Sequence, residues 1–135
     1  MKNNYLKLYK NINNSGDSSF VNKKLGFEKC KIHNINSFFK DNSKIFNKQN
    51  LIYKSDVQGM DEEIFIGLKK EYFNKINIAI IEITNHEFIF KNKEKFLSRL
   101  NSFKVINNKN LTNISPNQVL NKINDKEEFD LFLKR

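Results

Sequence analysis

The spacing of apolar residues changes twice along the chain. Between residues 20 and 46 they recur roughly every three to four positions, which is the repeat of a helix. Between 51 and 91 they alternate with their neighbours, as at Ile76 and Ile78, and this period of two is typical of β-strands. Helical spacing returns after residue 92. The predicted order is therefore helix, then strands, then helices.

These patterns predict a single domain of the α/β or α+β class, with a small, mostly antiparallel central sheet packed by helices. The strands are predicted at 51–54, 63–72, 76–84 and 87–91, with a further candidate at 103–107. The helices are predicted at 34–48, 92–102, 116–124 and 126–134. At 135 residues, the whole chain (1–135) fits one domain. We expect residues 1–18 to form a loosely attached arm.

The strand predicted at 76–84 differs from the others because both of its faces are apolar. Ala79, Ile81 and Ile83 add a second apolar side to the one formed by the alternating isoleucines. Strands that are buried on both faces have this composition. We therefore expect this strand to be central and covered on two sides.

Two other segments carry local signals. Ser115 can cap a helix that starts at Pro116, and Gln118 can complete a capping box with that serine. Tyr5–Tyr9 is open to two interpretations, a short edge strand or a single helical turn.

Charge is distributed unevenly around the isoleucine-rich centre. Residues 1–54 hold eleven lysines and three acids, and residues 55–90 hold three lysines and seven acids. Residues 91–135 hold ten basic residues and five acids, and the formal net charge is +9. Only Arg99 and Arg135 are arginines. This layout indicates lysine surfaces that meet an anionic partner, or a lysine-biased composition without that role.

Several functional classes find no support in the sequence. Its apolar runs fall short of the roughly 18 residues that a membrane span requires. Its histidines and its cysteine do not stand at metal-ligand spacing, and its glycines form no phosphate-binding loop. The single cysteine, Cys30, excludes an internal disulfide and fits a reducing compartment. We expect a cytoplasmic protein without a membrane partner or a small-molecule cofactor.

Basic side chains on the predicted helices are the candidate contacts with an anionic partner. Such a surface can follow a phosphate backbone, and Tyr5, Tyr9, Tyr53 or Tyr72 could stack on bases if exposed. The partner would be a nucleic acid, a ribonucleoprotein, or an acidic protein bound by an inhibitor, immunity protein or assembly subunit. The candidate binding residues are Lys40, Lys44, Lys48, Lys91, Lys93, Lys95 and Arg99.

Glu82 is the candidate for chemistry. By strand alternation it points the same way as Ile78 and Ile80, which places a carboxylate on an apolar face near a strand end. Burying an unpaired charge costs on the order of several kcal/mol. Glu82 therefore needs a lysine partner, an exposed strand end or a metal ion.

The order helix, three strands, helix and strand over residues 34–106 resembles the core of the PD-(D/E)xK nuclease family. The resemblance implies a Mg²⁺-dependent nuclease as the alternative to a non-enzymatic binding protein. Asp56 or Asp61 would then play the family's aspartate, and Glu82 would begin its Glu-x-Lys motif.

Thr84 departs from that motif, because it stands where the family has its lysine. A threonine cannot supply the positive charge. The resemblance therefore requires Lys91 or Lys70 to supply it from elsewhere in the fold.

Overall fold

The structure is a computed structural model that describes residues 5–10, 18, 26–46, 50–57, 59–106 and 112–135. Within these ranges the strands are β1 (Tyr5–Tyr9), β2 (Phe27–Lys31), β3 (Leu51–Ser55), β4 (Ile76–Ile83), β5 (Lys104–Ile106), β6 (Asn113–Ile114) and β7 (Phe129–Lys134). The helices are α1 (Ile35–Asp41), α2 (Ser43–Phe46), α3 (Asp61–Gly67), α4 (Lys70–Phe73), α5 (His86–Lys91), α6 (Lys93–Leu100) and α7 (Pro116–Asn124).

The strands form two separate sheets. The large sheet has five strands in the order β3-β4-β7-β5-β6, with β3 parallel to β4 and every other pair antiparallel. The small sheet is an antiparallel pair of β1 and β2. This arrangement confirms a single α+β domain with a mostly antiparallel central sheet.

The core lies between the helices and one face of the large sheet. Ala79, Ile81 and Ile83 of β4 are completely buried, and Leu131 and Leu133 of β7 lie beside them. Helix α3 packs on β4, and helices α5 and α6 contact α3. Burying one such aliphatic side chain stabilises the fold by about 1.5–3 kcal/mol. This inner face therefore supplies most of the stability.

The opposite face of the large sheet, which we call the outer face, is open. β4 is central, as predicted, but the expectation that it is covered on two sides is wrong. Ile78 is 36% exposed, and Ile52 on the neighbouring edge strand β3 is 72% exposed. Helix α3 packs on the inner face, and Ile52 and Ile78 on the outer face remain in contact with solvent.

Several predicted elements are confirmed with small shifts of their ends. The strand predictions 51–54, 76–84 and 103–107 correspond to β3, β4 and β5, and the helix predictions 92–102 and 116–124 correspond to α6 and α7. At the start of α7 the Ser115 hydroxyl accepts from Gln118 N at 3.2 Å, and Gln118 Oε1 accepts from Ser115 N at 2.7 Å. This capping box satisfies two backbone N–H groups.

The helix predicted at 34–48 is interrupted. α1 ends at Asp41, and α2 begins at Ser43. The Asn42 side chain donates to Phe38 O at 2.9 Å and its backbone leaves the helical conformation, so it caps α1 instead of continuing it. Residues 47–49 lie outside the described part of the chain.

The strand predicted at 63–72 is wrong, because this segment forms α3 and α4. Phe65 and Leu68, three residues apart, are its most buried residues, and that spacing belongs to a helix. The carboxylates of residues 61–63 occupy the first turn of α3, where negative charge favours a helix. Tertiary burial therefore outweighs the apparent alternation of isoleucines.

The strand predicted at 87–91 is also wrong, because these residues belong to α5. The Asn85 side chain accepts from Phe88 N at 3.2 Å and caps the helix. Ile89 is fully buried and Phe90 is 45% exposed, which is the pattern of a helix with one apolar side.

The helix predicted at 126–134 is a strand instead, β7. Leu131 and Leu133 face the core, and Phe132 lies between them on the outer face. β7 pairs with β4 on one side and β5 on the other, so its hydrogen bonds come from distant segments. A local helical spacing cannot compete with the ladders that β7 forms, six residue pairs with β4 and three with β5.

Among the described residues, none of the helices has the length and apolarity needed to cross a membrane.

Candidate functional site

The small sheet places six aromatic and basic residues on one face. In its register, Tyr5 lies opposite Lys31, Lys7 opposite Lys29, and Tyr9 opposite Phe27. Side chains alternate along a strand, so these six point to the same side. We call this surface the aromatic–lysine face, and its residues are Tyr5, Lys7, Tyr9, Phe27, Lys29 and Lys31.

The rings of the aromatic–lysine face are accessible. Tyr5 is 52% exposed and Phe27 is 49% exposed, which is unusual for such large apolar groups. Tyr9 contacts Phe27 edge-on, with 6.0 Å between ring centroids. The Lys7 ammonium lies 4.2 Å from the Phe27 centroid. Cations and flat π surfaces are thus arranged side by side.

The charges of this face are all positive. Lys7 and Lys29 are directly opposite across the two strands, and like charges in this position destabilise a sheet. The acid of the small sheet, Glu28, lies on the other face and forms an ion pair with Lys10. A negatively charged partner would relieve the repulsion between Lys7 and Lys29.

Part of this face could be read from the sequence. Tyr5–Tyr9 is a strand, which decides between its two interpretations, and both of its tyrosines lie on the aromatic–lysine face. The other two candidate stacking residues are not available for bases, because Tyr72 is buried in the core and Tyr53 packs against it. The lysines of this face and Phe27 were missed. Residues 27–31 have the sequence Phe-Glu-Lys-Cys-Lys, in which apolar and polar residues do not alternate, so the strand and its face become apparent only from the pairing with β1.

A second basic region is a cleft between helices α4 and α6, which we call the basic cleft. Its volume is about 590 Å³. It holds the three cations Lys70, Lys95 and Arg99 and one carboxylate, Glu94. The other lining residues are Ile66, Phe73, Asn74, Ser98 and Ser102.

The two arginines of the chain meet beside this cleft. The guanidinium of Arg99 lies 4.0 Å from the Phe73 ring centroid, and that of Arg135 lies 5.2 Å from the same centroid. Arg99 donates to the carbonyls of Ile66 and Leu68, which end α3. Both groups are therefore fixed by aromatic and carbonyl contacts, as structural cations at helix C-termini are.

Arg135 shows the same kind of anchoring at the end of α4. It donates to Phe73 O at 3.1 Å and to Asn74 O at 3.3 Å. Burial and, second, the charge of Arg135 lower the pKa of Arg99, and burial lowers the pKa of Arg135. None of the four ion pairs between described residues includes an arginine.

The predicted binding residues are only partly brought together. Lys95 and Arg99 are one helical turn apart on α6 and both line the basic cleft. Lys93 is exposed but does not line it. Lys91 ends α5 and pairs with Glu87 at 3.6 Å.

The candidate lysines of the helix predicted at 34–48 do not lie on one continuous helix. Lys40 lies in α1 and Lys44 in α2, and the interruption at Asn42 separates the two helices. Lys48 lies outside the described residues.

The acidic candidates gather at one end of the large sheet. Asp56 follows β3 and pairs with Lys54 at 3.3 Å, and Glu82 lies on the outer face of β4. Burial raises the pKa of Glu82, and the charges of Asp56, Asp61 and Asp130 raise it further. Asp61 is fully buried at the start of α3, where both its oxygens accept from Val57 N.

The geometry differs from what the nuclease resemblance implies. Asp61 begins a helix instead of a strand, and its carboxylate holds the loop before α3. Thr84, at the lysine position of the motif, has its N–H bonded to Glu62 Oε1 at 2.7 Å. Within the described ranges, no three His, Cys, Asp or Glu side chains are grouped to hold a metal ion.

Glu62 is a buried residue whose structural role the sequence did not reveal. Its Oε1 accepts from the backbone N–H of Thr84 at 2.7 Å and of Asn85 at 2.8 Å. It thereby joins the start of α3 to the end of β4. Its Oε2 is buried without a hydrogen-bond partner in the described structure.

No protein-family model matches the chain, and neither a curated protein nor a solved structure is found to be similar to it.

Proposed function

We propose that this protein is a non-enzymatic binding protein that contacts single-stranded nucleic acid through the aromatic–lysine face of its small sheet. The observation that supports this most is the placement of three lysines and two half-exposed rings, Tyr5 and Phe27, on one surface without a carboxylate. We further propose a cytoplasmic location, which agrees with the single cysteine, Cys30, being a free thiol.

The chemistry of the face favours a nucleic acid over an acidic protein. Lysine ammonium groups attract phosphates and carboxylates alike. Exposed rings, however, gain stacking energy only with flat partners such as bases, about 1–3 kcal/mol per base. The combination of Tyr5, Phe27 and the lysines therefore fits a chain that alternates phosphates with bases.

Unpaired bases are favoured over a duplex for the same reason. In a duplex the flat faces of the bases are stacked on each other and cannot reach the rings. The lysines alone would bind both forms, whereas the rings add affinity for the single strand only.

The basic cleft takes a secondary part in this proposal. Arg99 in the cleft and Arg135 beside it are held by carbonyl groups and buried rings, which is a structural use of their charge. Lys70 and Lys95 are exposed and add to the positive field that attracts a polyanion.

The test is fluorescence anisotropy with labelled single-stranded and double-stranded oligonucleotides and with polyglutamate of the same charge. We expect the single strand to bind best and its affinity to fall steeply between about 50 mM and about 200 mM salt. Equal binding of polyglutamate would indicate an acidic protein as partner and contradict the proposal. Undetectable binding of every nucleic acid at the lower salt would also contradict it.

Matched charge variants locate the contact. A variant with Lys7→Gln, Lys29→Gln and Lys31→Gln should bind more weakly, and its salt dependence should be shallower by about 0.7 per lost phosphate contact. The control replaces the exposed lysines of another surface, Lys40→Gln with Lys44→Gln, and should keep the wild-type slope. If the control loses as much affinity as the first variant, only diffuse charge is involved and the assigned face is wrong.

A further inference from the structure

The basic cleft between α4 and α6 has the size of a site for a small ligand. Its volume of about 590 Å³ lies within the range of about 300–1,000 Å³ that is usual for ligand pockets. Four of its lining residues stand three or four positions apart along α6 and the turn after it, so they lie on one side of the helix. They are Lys95, Ser98, Arg99 and Ser102, and α4 contributes Lys70.

The positive charge of the basic cleft is only partly compensated. Its three cations share the lining with one carboxylate, Glu94, which leaves a net charge of +2. None of the ion pairs between described residues includes Lys70, Lys95 or Arg99. Arg135 adds a further cation beside the cleft, and its charge, after burial, lowers the pKa of Arg99. An anion in the cleft would relieve this repulsion.

Donors for such an anion are present. The ammonium groups of Lys70 and Lys95 make no hydrogen bond to the described part of the chain, and each has three donors. The guanidinium of Arg99 donates through Nη2 to the carbonyls of Ile66 and Leu68. These two bonds fix its position before a ligand binds, which reduces the cost of ordering the site.

The net charge matches a phosphomonoester better than a carboxylate or a phosphodiester. A phosphomonoester carries a charge of about −1.5 to −2 at pH 7 and has three strong acceptor oxygens. A carboxylate or a backbone phosphodiester carries a single negative charge and neutralises only half of the cleft. The ligand is therefore expected to hold a terminal phosphate.

The remaining lining favours hydroxyl groups over an aromatic ring. Asn74, Ser98 and Ser102 offer an amide and two hydroxyls, which can both donate and accept. The Phe73 ring is 2% exposed, and the Arg99 guanidinium lies 4.0 Å from its centroid, so no flat surface remains for a base. We propose that the basic cleft binds a small phosphomonoester with a hydroxylated carbon skeleton, such as a sugar phosphate.

This inference does not depend on nucleic-acid binding by the small sheet, because the lining residues of the basic cleft belong to α3, α4, α6 and the turns that follow α4 and α6. The lysines contact the phosphate oxygens, and Arg99 adds fixed positive charge beside them.

A nuclear magnetic resonance titration of the isotope-labelled full chain with ribose 5-phosphate tests the proposal. The largest amide shifts should fall in residues 70–74 and 94–102. Ribose should cause no shifts, and dimethyl phosphate, a diester with one charge, should bind at least about tenfold more weakly because it loses a charged hydrogen bond. Inorganic phosphate should shift the same amides but bind more weakly than ribose 5-phosphate, since it lacks the hydroxyls.

Four results would contradict the proposal. No shift in the cleft with ribose 5-phosphate at millimolar concentration would show that the site does not exist. Shifts confined to the small sheet would place the phosphate there instead. Equal affinity for dimethyl phosphate would indicate diffuse charge attraction only. Equal affinity for inorganic phosphate would overturn the hydroxylated skeleton.

Matched variants locate the contact. Lys70→Gln with Lys95→Gln should weaken ribose 5-phosphate binding by at least about tenfold, and folding should not suffer because both side chains are exposed. Glu94→Gln should strengthen binding by about two- to fivefold, because it removes the negative charge of the lining. A gain of affinity cannot result from misfolding.

The control for these variants is Lys40→Gln with Lys44→Gln, which removes the same charge from α1 and α2 and should keep the wild-type affinity for ribose 5-phosphate. If this control loses as much affinity as the cleft variant, or if Glu94→Gln weakens binding, the phosphate does not bind in the basic cleft.

Discussion

The two sheets of this protein each hold a directly opposed pair of like charges, and the surroundings of the two pairs differ. In the small sheet Lys7 faces Lys29 on a surface with one sign of charge and exposed rings. In the large sheet Glu82 faces Asp130 on an outer face that also carries Lys54, Lys104 and Lys134. A surface with one sign needs a partner of the opposite sign, whereas on a surface with both signs neighbouring side chains can pair with each other, as Lys54 does with Asp56.

The sheets also differ in what holds them together. The large sheet has a buried inner face under the helices, and β4 is its most buried strand. The small sheet has no fully buried residue in either strand. We infer that the large sheet carries the stability of the fold and the small sheet carries a contact surface.

The largest expected effect concerns the different contributions of the two sheets to the stability of the fold. Ile81→Ala, in the fully buried core, should lower the free energy of unfolding by about 2–5 kcal/mol, because it leaves a cavity among packed side chains. Its counterpart in the small sheet, Leu8→Ala, removes a half-buried side chain and should cost less than about 1 kcal/mol. Urea denaturation of both variants measures the difference. Equal losses would mean that the small sheet belongs to the core.

The second effect concerns binding through the small sheet. Tyr5→Ala with Phe27→Ala should weaken binding of single-stranded oligonucleotides by at least about 30-fold, because two stacking surfaces worth about 1–3 kcal/mol each are lost. Duplex binding should change little, since it depends on the lysines. The matched control is Phe90→Ala on α5, whose ring is 45% exposed but lies outside the small sheet. A comparable loss in that control would refute the assigned surface.

A smaller effect concerns the acidic pair of the large sheet. Glu82→Gln removes repulsion with Asp130 and should raise the free energy of unfolding by about 0.2–1 kcal/mol at pH 7. Since the pKa of Glu82 is raised in the folded protein, its protonation stabilises the fold. This stabilisation is fully present below the pKa that Glu82 has in the unfolded chain. It is lost as the pH rises through the pKa that Glu82 has in the folded protein.

The pH dependence of the free energy of unfolding therefore distinguishes the Glu82→Gln variant from the wild type. The advantage of the Glu82→Gln variant over the wild type should be greatest near pH 7 and disappear on acidification. Urea denaturation at both ends of that range measures this difference. An advantage that grows on acidification would have the wrong sign.

The smallest expected effect concerns the lysines of the basic cleft. Lys70→Gln with Lys95→Gln in the basic cleft should change nucleic-acid affinity by less than about threefold, because exposed charges that do not contact the ligand act only through the screened field. The anisotropy assay used for the small sheet measures this directly. A larger loss of affinity would indicate that the nucleic acid binds in the basic cleft and not on the small sheet.

The sequence predicts the elements whose signals are local. α7 follows from the Ser115 capping box, and β4 follows from its run of isoleucines. The strand conformation of β7 could not be predicted, because it depends on pairing with β4 and β5, which are distant in the sequence. The segment of α3 was misassigned because Ile64 and Ile66 alternate while the buried residues follow a helical spacing.

The site could be predicted only in part, for the same reason. Helical spacing correctly places Lys95 beside Arg99. The aromatic–lysine face depends on the register between β1 and β2, and residues 27–31 alone show no alternation of apolar and polar residues that would predict a strand. Tyr5 and Tyr9 are predicted as stacking residues because they are tyrosines. The role of Phe27 can be inferred only once the pairing of β1 with β2 is known.

The most direct test of the binding surface is a nuclear magnetic resonance titration of isotope-labelled protein with a single-stranded oligonucleotide. We predict that the largest backbone amide shifts fall in Tyr5–Tyr9 and Phe27–Lys31, with small shifts around the basic cleft. Shifts confined to the cleft, or no shifts at concentrations that saturate anisotropy, would contradict the account.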